Sequence, residues 1–244
     1  MHIPVIKSPR PSSFHTKCSN TSPKLSLREA YSPTHRISRD LSSTCLVVKY
    51  FPRDKCVMTT IVGIKTGKGV VLASDKRASK GFFIASKDAQ KIFKIDEYTA
   101  AAIAGQVSDA EYLVNLVKAQ RKLIHLERGF RPSVYETAKL IANAAYSGLR
   151  SYAPFLAEFI IAGVDTEPRL YSTDVSGAIS PESFVSNGSG SPIAYGVLES
   201  SYSDTLSLDE AQEVAKKAVQ AAMQRDPGSG DGVEVVVIPV GGVQ

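Results

Sequence analysis

From residue 59 onward the 244-residue chain contains no cysteine and a single histidine, His125. A thiolate nucleophile is therefore excluded from that segment, and a serine–histidine–aspartate relay has no imidazole near any candidate serine. Gly188-Ser189-Gly190-Ser191 lacks the Gly-x-Ser-x-Gly spacing of a nucleophile elbow. No Gly-Lys-Ser/Thr follows it, so it is not a phosphate-binding loop either. One hydroxyl nucleophile needs no imidazole: a threonine at a free amino terminus, whose own α-amine takes the hydroxyl proton. An α-amine titrates near about 7.7–8.0, so an appreciable fraction is neutral at physiological pH. Thr59-Thr60 stands where that chemistry has a starting point, because the composition of the chain breaks immediately before it.

Residues 1–58 hold ten of the 29 Lys+Arg but only three of the 24 Asp+Glu, a local net charge of +7; residues 59–244 hold 19 and 21, a net of −2. All three cysteines (Cys18, Cys45, Cys56) and three of the four histidines (His2, His15, His35) precede residue 59, whereas all 17 glycines follow it. The overall net charge of +5 thus belongs to the first quarter of the chain, and the nucleic-acid reading that a basic chain invites goes with it. Residues 1–58 also carry ten Ser and six Pro without apolar periodicity, which predicts a disordered leader. The segment is Arg- and Ser-rich and acid-poor, as transit peptides are, but its prolines oppose an amphipathic helix. It also lacks the apolar core and cleavage site of a secretory signal.

No apolar run approaches the roughly 20 residues of a membrane helix. The longest, Val233 to Val240, contains Glu234 and Pro239 and reads as a strand. The sequon Asn187-Gly188-Ser189 has no secretory context to act in. No internal repeat is present. Residues 59–244 make one domain, long enough to bury roughly 70% of its unfolded surface.

The elements that must position the chemistry follow from patterning. Thr60 to Lys65 and Val70 to Asp75 are strand-like runs joined by Gly67-Lys68-Gly69, followed by strands at 81–84, 91–95 and 98–104. Ser108-x-x-Glu111, Ser133-x-x-Glu136 and Ser207-x-x-Glu210 read as capping boxes that start three helices. Apolar stripes follow each of them, for example Val134, Ala138, Ile141 and Ala145. Strands at 159–162, 169–172 and 183–185 lie between the second and third helices, and 233–238 closes the chain. The order is strands, two helices, strands, helix, strand. This predicts an α+β fold, a four-layer α/β/β/α sandwich of two antiparallel sheets flanked by helices.

Several stretches carry a joint signature: Thr59-Thr-Ile-Val-Gly-Ile64, Gly69-Val-Val-Leu-Ala-Ser-Asp-Lys-Arg-Ala-Ser79, Lys91-Ile-Phe-Lys-Ile95, Ala104-Gly105, Gly188-Ser-Gly-Ser-Pro192, Tyr195-Gly-Val-Leu-Glu199, Arg225-Asp226 and Ser229-Gly-Asp-Gly232. Each alone is an ordinary strand or loop. Together, in this order, they resemble a β-subunit of the proteasome core particle of archaeal type, an N-terminal nucleophile hydrolase. The resemblance covers essentially all of residues 59–244.

What the resemblance implies is residue-specific. Thr59 matches the nucleophile, Lys91 the lysine beside its hydroxyl, and Asp75 the carboxylate that holds that lysine. The backbone N–H of Gly105 matches the oxyanion donor. Ser189, Asp226 and Ser229 match the group that orients the threonine amine. The backbone of Ser79 matches an edge that pairs with extended substrate. Ile103 matches the base of the pocket reading the side chain before the cut, with Ala78, Ala89 and Val107 as further lining. All four are apolar, so cleavage after hydrophobic residues is expected.

The resemblance also implies a threonine endopeptidase in stacked seven-membered rings of α- and β-subunits, acting in the cytoplasm on unfolded polypeptides delivered by an ATP-dependent unfoldase. Neither nucleic acid, membrane, metal nor organic cofactor is implied. A catalytically silent β-subunit is the competing class. Family leaders usually end in glycine, whereas Met58 precedes Thr59 here. Two routes would expose Thr59: autocatalytic removal of residues 1–58 as a propeptide, or initiation at Met58 and removal of that methionine, with residues 1–57 an upstream extension of the gene.

Overall fold

A computed structural model of the chain describes residues 58–81 and 83–241. The leader expected over 1–58 lies, Met58 apart, outside the described residues, as does Phe82 of the strand expected at 81–84.

Eleven strands and four helices are described. The strands are β1 (Ile61–Thr66), β2 (Gly69–Asp75), β3 (Ala78–Lys80), β4 (Phe83–Ser86), β5 (Ile92–Lys94), β6 (Thr99–Gly105), β7 (Ala157–Val164), β8 (Pro168–Thr173), β9 (Ile179–Pro181), β10 (Phe184–Asn187) and β11 (Val233–Pro239). The helices are α1 (Val107–Arg128), α2 (Val134–Arg150), α3 (Ser191–Ser201) and α4 (Leu208–Met223). One antiparallel sheet has the order β10-β1-β2-β11 and the other β5-β6-β7-β8-β9, while β3 and β4 form a separate ribbon.

Both sheets are buried on both faces, which explains why their strands read as nearly continuous apolar runs. Along β6, Ala100, Ala102 and Ala104 face the other sheet together with Ile61, Leu72, Ile92, Ile160 and Leu170. Ala101 and Ile103 on the same strand face α1 and α2, against Leu113, Val117, Val134 and Ile141. Val62, Ile64, Val71 and Ala73 face α3 and α4, against Ala194, Leu198, Ala211, Ala215 and Ala218. The period-2 alternation of strand side chains thus divides three apolar layers among four structural layers. A Cβ on Gly63 would approach Ile160 Cγ2 and Leu170 Cδ1 to 2.8 Å each, so glycine lets the two sheets close at that point.

Two capping boxes form as the spacing predicts. Ser133 and Ser207 accept from the backbone N–H of Glu136 and Glu210, whose carboxylates accept in return from the N-cap N–H. The third does not. Helix α1 starts earlier, at Val107 after N-cap Gln106, with no side-chain cap. Tertiary bonds fix its start instead: Gln106 N–H donates to Leu156 O (2.6 Å), and the Asp109 carboxylate accepts from Leu156 N–H (2.8 Å). Ser108 therefore falls inside the first turn. Ser207→Ala is expected to cost about 1 kcal/mol of stability. Ser108→Ala is expected to stay within about 0.5 kcal/mol, as ordinary surface changes do. Urea unfolding midpoints at unchanged slope measure the difference.

The element order also needs one correction. A fourth helix, α3, precedes α4, where the sequence pattern gave none. Its N-cap is Gly190 without a side-chain bond, and Gly196 inside it lowers its intrinsic propensity. Burial of Ala194 and Leu198 in the layer shared with α4 holds it instead. Strands β3 and β9, of three residues each, are too short to show alternation and were likewise not legible.

Candidate active site

The site lies where one end of each sheet meets the loops around it. Thr59 and Thr60 lead directly into β1. Strand β2 runs antiparallel to β1 with Ser74 opposite Ile61, so Asp75 arrives beside Thr60 and its N–H donates to Thr60 O (3.2 Å). Lys91 immediately precedes β5 at the edge of the other sheet, and its carbonyl accepts from Ile103 N–H on β6 (2.9 Å). The 188–190 loop before α3 closes over Thr59, with Gly190 N–H donating to Thr59 O (3.3 Å). Asp226 follows α4, its N–H still bonded to Ala222 O (2.8 Å).

Six of the residues singled out from sequence converge here. The Thr59 hydroxyl donates to Asp75 Oδ1 (2.7 Å), and Lys91 Nζ donates both to Thr59 Oγ1 and to Asp75 Oδ1 (2.6 Å to the latter). Thr59 is 1% exposed, Asp75 0% and Lys91 6%. Burial pushes the Lys91 ammonium below its ordinary range, and the Asp75 carboxylate opposes that shift. Asp75 is held by three further donors. Thr60 N–H reaches Oδ1 (3.0 Å), while Arg77 N–H (3.1 Å) and Gly230 N–H (2.9 Å) reach Oδ2. A buried carboxylate is tolerable only when satisfied in this way.

A second group holds the nitrogen of Thr59. Thr59 N–H donates to Ser189 Oγ (3.1 Å), and Ser189 Oγ donates to Asp226 Oδ2 (2.7 Å). Ser229 Oγ donates to the same oxygen (2.6 Å). A hydroxyl has one proton, so the 2.7 Å contact between Ser229 Oγ and Thr60 Oγ1 is Thr60 donating. The threonine nitrogen thus lies at the end of a chain of oriented hydroxyls anchored on one carboxylate. Its oxygen lies between an ammonium and another carboxylate. With the Thr59 nitrogen as a free amine, this arrangement would hold a base and a charge-stabilising ammonium beside one hydroxyl. Among the described residues no group of three or more His, Cys, Asp or Glu is placed to hold a metal ion, and no helix is long and apolar enough to cross a membrane.

Comparison with known proteins identifies the family. Residues 58–238 match the family model described as "Proteasome subunit". The chain belongs to the proteasome subunit family. Among its relatives, the "Proteasome subunit beta" of Methanopyrus kandleri is 45% identical over 181 residues, covering 74% of this chain and 86% of the relative. The protein of that description from Methanothermobacter thermautotrophicus is 46% identical over 181 residues, 74% and 85% of the two chains. The "Proteasome subunit beta 2" of Aeropyrum pernix is 42% identical over 180 residues, 74% and 81%. These relatives are β-type and archaeal, as the sequence motifs imply.

The remaining positions expected from the proteasome resemblance are more dispersed. Gly105 ends β6 opposite Ala157, with φ +119, in the region that favours glycine. A Cβ there would also overlap the backbone of Leu156 and Ala157. Ser79 and Ala78 lie on β3, whose ladder pairs it with β4 alone. Ala89 is partly exposed in the loop before β5, its N–H bonded to Lys76 O (2.9 Å). Ile103 is only 3% exposed and packs into the layer under α1 and α2, whereas Val107 at the start of α1 is 40% exposed.

Three contributors carried no assigned role in the sequence reading. The N–H groups of Arg77 and Gly230 act through backbone, which leaves no signature in residue type. Thr60 reads as a strand residue until its hydroxyl is seen on Ser229.

Proposed function

We propose that this chain is a threonine endopeptidase subunit of the proteasome core particle, with Thr59 as nucleophile once its α-amine is free. The observation that carries the reading is the position of Thr59 Oγ1 against both Lys91 Nζ and Asp75 Oδ1, with the nitrogen of Thr59 on the Ser189–Asp226–Ser229 group.

The free amine accepts the Thr59 hydroxyl proton while Oγ1 bonds to the scissile carbonyl carbon. The Lys91 ammonium lowers the cost of the charge on Oγ1. The N–H of Gly105 would donate to the oxyanion. The amine passes its proton to the departing peptide nitrogen as the C–N bond breaks, leaving an ester on Thr59. Water, deprotonated by the same amine, cleaves the ester and restores the hydroxyl. Ser189, Asp226 and Ser229 keep the amine within reach throughout. An extended substrate would add to the free edge of β3 through the backbone of Ser79.

In this reading residues 59–244 are the catalytic domain and residues 1–58 are absent from the working protein. The subunit would work inside stacked rings of α- and β-subunits in the cytoplasm, on unfolded chains fed by an ATP-dependent unfoldase. No cofactor takes part. The side chain before the cut would meet Ala78, Ala89, Val107 and what Ile103 exposes, so fluorogenic peptides with hydrophobic residues there are expected to be cleaved at least about tenfold faster than acidic or basic ones, since even a small apolar contact contributes about 1–3 kcal/mol. A preference for charged residues would refute this.

The competing reading, a silent β-subunit, draws on Met58 standing where leaders of the family usually end in glycine. Intact mass of the purified particle separates a chain beginning at Thr59 from one that keeps its leader. Labelling by a threonine-directed epoxyketone tests the enzyme reading directly; an assembled particle that takes up no label rejects it.

A further inference from the structure

We propose that Arg77 is a positioning residue for this site: its guanidinium clamps the 226–231 loop in the one placement that serves both halves of the machinery. The proposal rests on the functional reading above and deepens it.

The loop has two duties. Asp226 and Ser229 orient the nitrogen of Thr59, and Gly230 N–H holds Asp75 Oδ2 (2.9 Å). Its backbone is not held by regular structure. Asp231 has φ +64, in the left-handed region, and Gly232 follows at φ +116. A non-glycine residue in that conformation persists only where its surroundings hold it.

Arg77 supplies that hold at both ends of the segment. Its Nε donates to Asp231 Oδ2 (2.7 Å), and its Nη1 donates to Pro227 O (3.0 Å). The guanidinium lies flat against Gly230, where a Cβ would overlap Cζ and Nη2. Arg77 N–H meanwhile donates to Asp75 Oδ2 (3.1 Å), the same oxygen that takes Gly230 N–H. Beside it, Lys76 N–H is shared between Gly230 O (3.1 Å) and Gly232 O (3.2 Å). One residue therefore ties Asp75 to the loop that bears Asp226. The Arg77–Asp231 pair is mostly buried, with side chains 23% and 15% exposed. Two acceptors at the two ends of the segment need a planar fork of donors. Lysine, a single-point donor, cannot bridge them.

The test uses the assembled particle carrying Arg77→Met, Arg77→Lys, Asp231→Asn or the double change Arg77→Met/Asp231→Asn. A loop displaced by about 1 Å costs roughly 10²-fold in rate. Arg77→Met is therefore expected to lower kcat roughly 10- to 100-fold with KM little changed. Arg77→Lys should recover only part of that loss. Asp231→Asn keeps an acceptor oxygen and should lose less. The double change should be no worse than Arg77→Met alone, because both remove one clamp.

The pH profile distinguishes positioning from simple destabilisation. A nearby carboxylate favours the protonated amine, so a loosened Asp226 should move the acid limb of kcat to lower pH. The proposal is overturned by Arg77→Met activity within twofold of wild type, by a loss that tracks assembly with an unmoved acid limb, or by multiplicative losses in the double variant. If Arg77→Met fails to assemble, Arg77→Lys, which cannot bridge both acceptors, decides: full activity with an unchanged acid limb refutes the clamp. An inactive, unlabelled wild-type particle would instead overturn the functional reading and this role with it.

Discussion

Thr59→Ala is expected to abolish peptide hydrolysis by the assembled particle, a loss of at least about 10⁴-fold, in line with removal of other catalytic hydroxyl nucleophiles. The change deletes Oγ1, the atom that meets both Lys91 and Asp75, and no other described hydroxyl occupies that position. Thr60, its neighbour, has its hydroxyl committed to Ser229. The backbone donors to Ser189 and from Gly190 survive the substitution, so assembly is expected to persist. Thr59→Ser, which keeps the hydroxyl, should retain measurable activity. Rates on a fluorogenic peptide, with epoxyketone labelling followed by mass, read both variants. Residual turnover above about 1% of wild type in Thr59→Ala, in a particle free of other active subunits, would refute Thr59 as nucleophile.

Lys91→Ala and Asp75→Ala should both remove activity, on the order of 10³-fold or more, but they should differ in stability. Lys91→Ala leaves Asp75 with Thr60, Arg77 and Gly230 N–H groups and the Thr59 hydroxyl still donating. Asp75→Ala strands a buried ammonium and leaves three backbone donors without their acceptor. Breaking a buried pair in that direction typically costs about 3–5 kcal/mol. Chemical denaturation of the two variants side by side measures the contrast; equal stabilities would mean that Asp75 is not the organising charge.

The pH dependence has two signs. The Lys91 ammonium is held below its ordinary 10.5, first by burial. Between that lowered value and 10.5 the unfolded chain binds more protons than the folded one. The contribution of this group to stability therefore rises with pH across that window. Activity that depends on the ammonium falls across the same window. A kcat profile whose alkaline limb lies below 10.5, while the denaturation midpoint does not fall in parallel, is the expected pattern. Lys91→Ala should lose that limb.

The fold class was legible because the two sheets are each covered on both faces. Strands such as Val70 to Ala73 then show unbroken apolar runs, and Ser133 and Ser207 announce helices with reciprocal caps. Legibility failed where tertiary bonds replaced local ones. Leu156, far along the chain, sets the start of α1 through Gln106 and Asp109. Helix α3 has glycine at its N-cap and inside it, and its stability comes from packing in the layer it shares with α4.

The same division runs through the site. Sequence by itself narrowed the proposed chemistry: residues 59–244, without cysteine and with one histidine, leave few nucleophiles beside Thr59. The joint motif then named Thr59, Asp75, Lys91, Gly105, Ser189, Asp226 and Ser229. The family resemblance carries those assignments, since each stretch alone is an ordinary strand or loop. Only the tertiary structure decided how they are held. Asp75 is fixed largely by main-chain N–H groups from three separate segments, and every residue but proline has such a donor. Arg77 reaches across 154 positions to Asp231, a pairing no local pattern encodes. The proposed catalytic residues are told by their chemistry; the groups that hold them are told by where the backbone brings two sheet ends and a loop together.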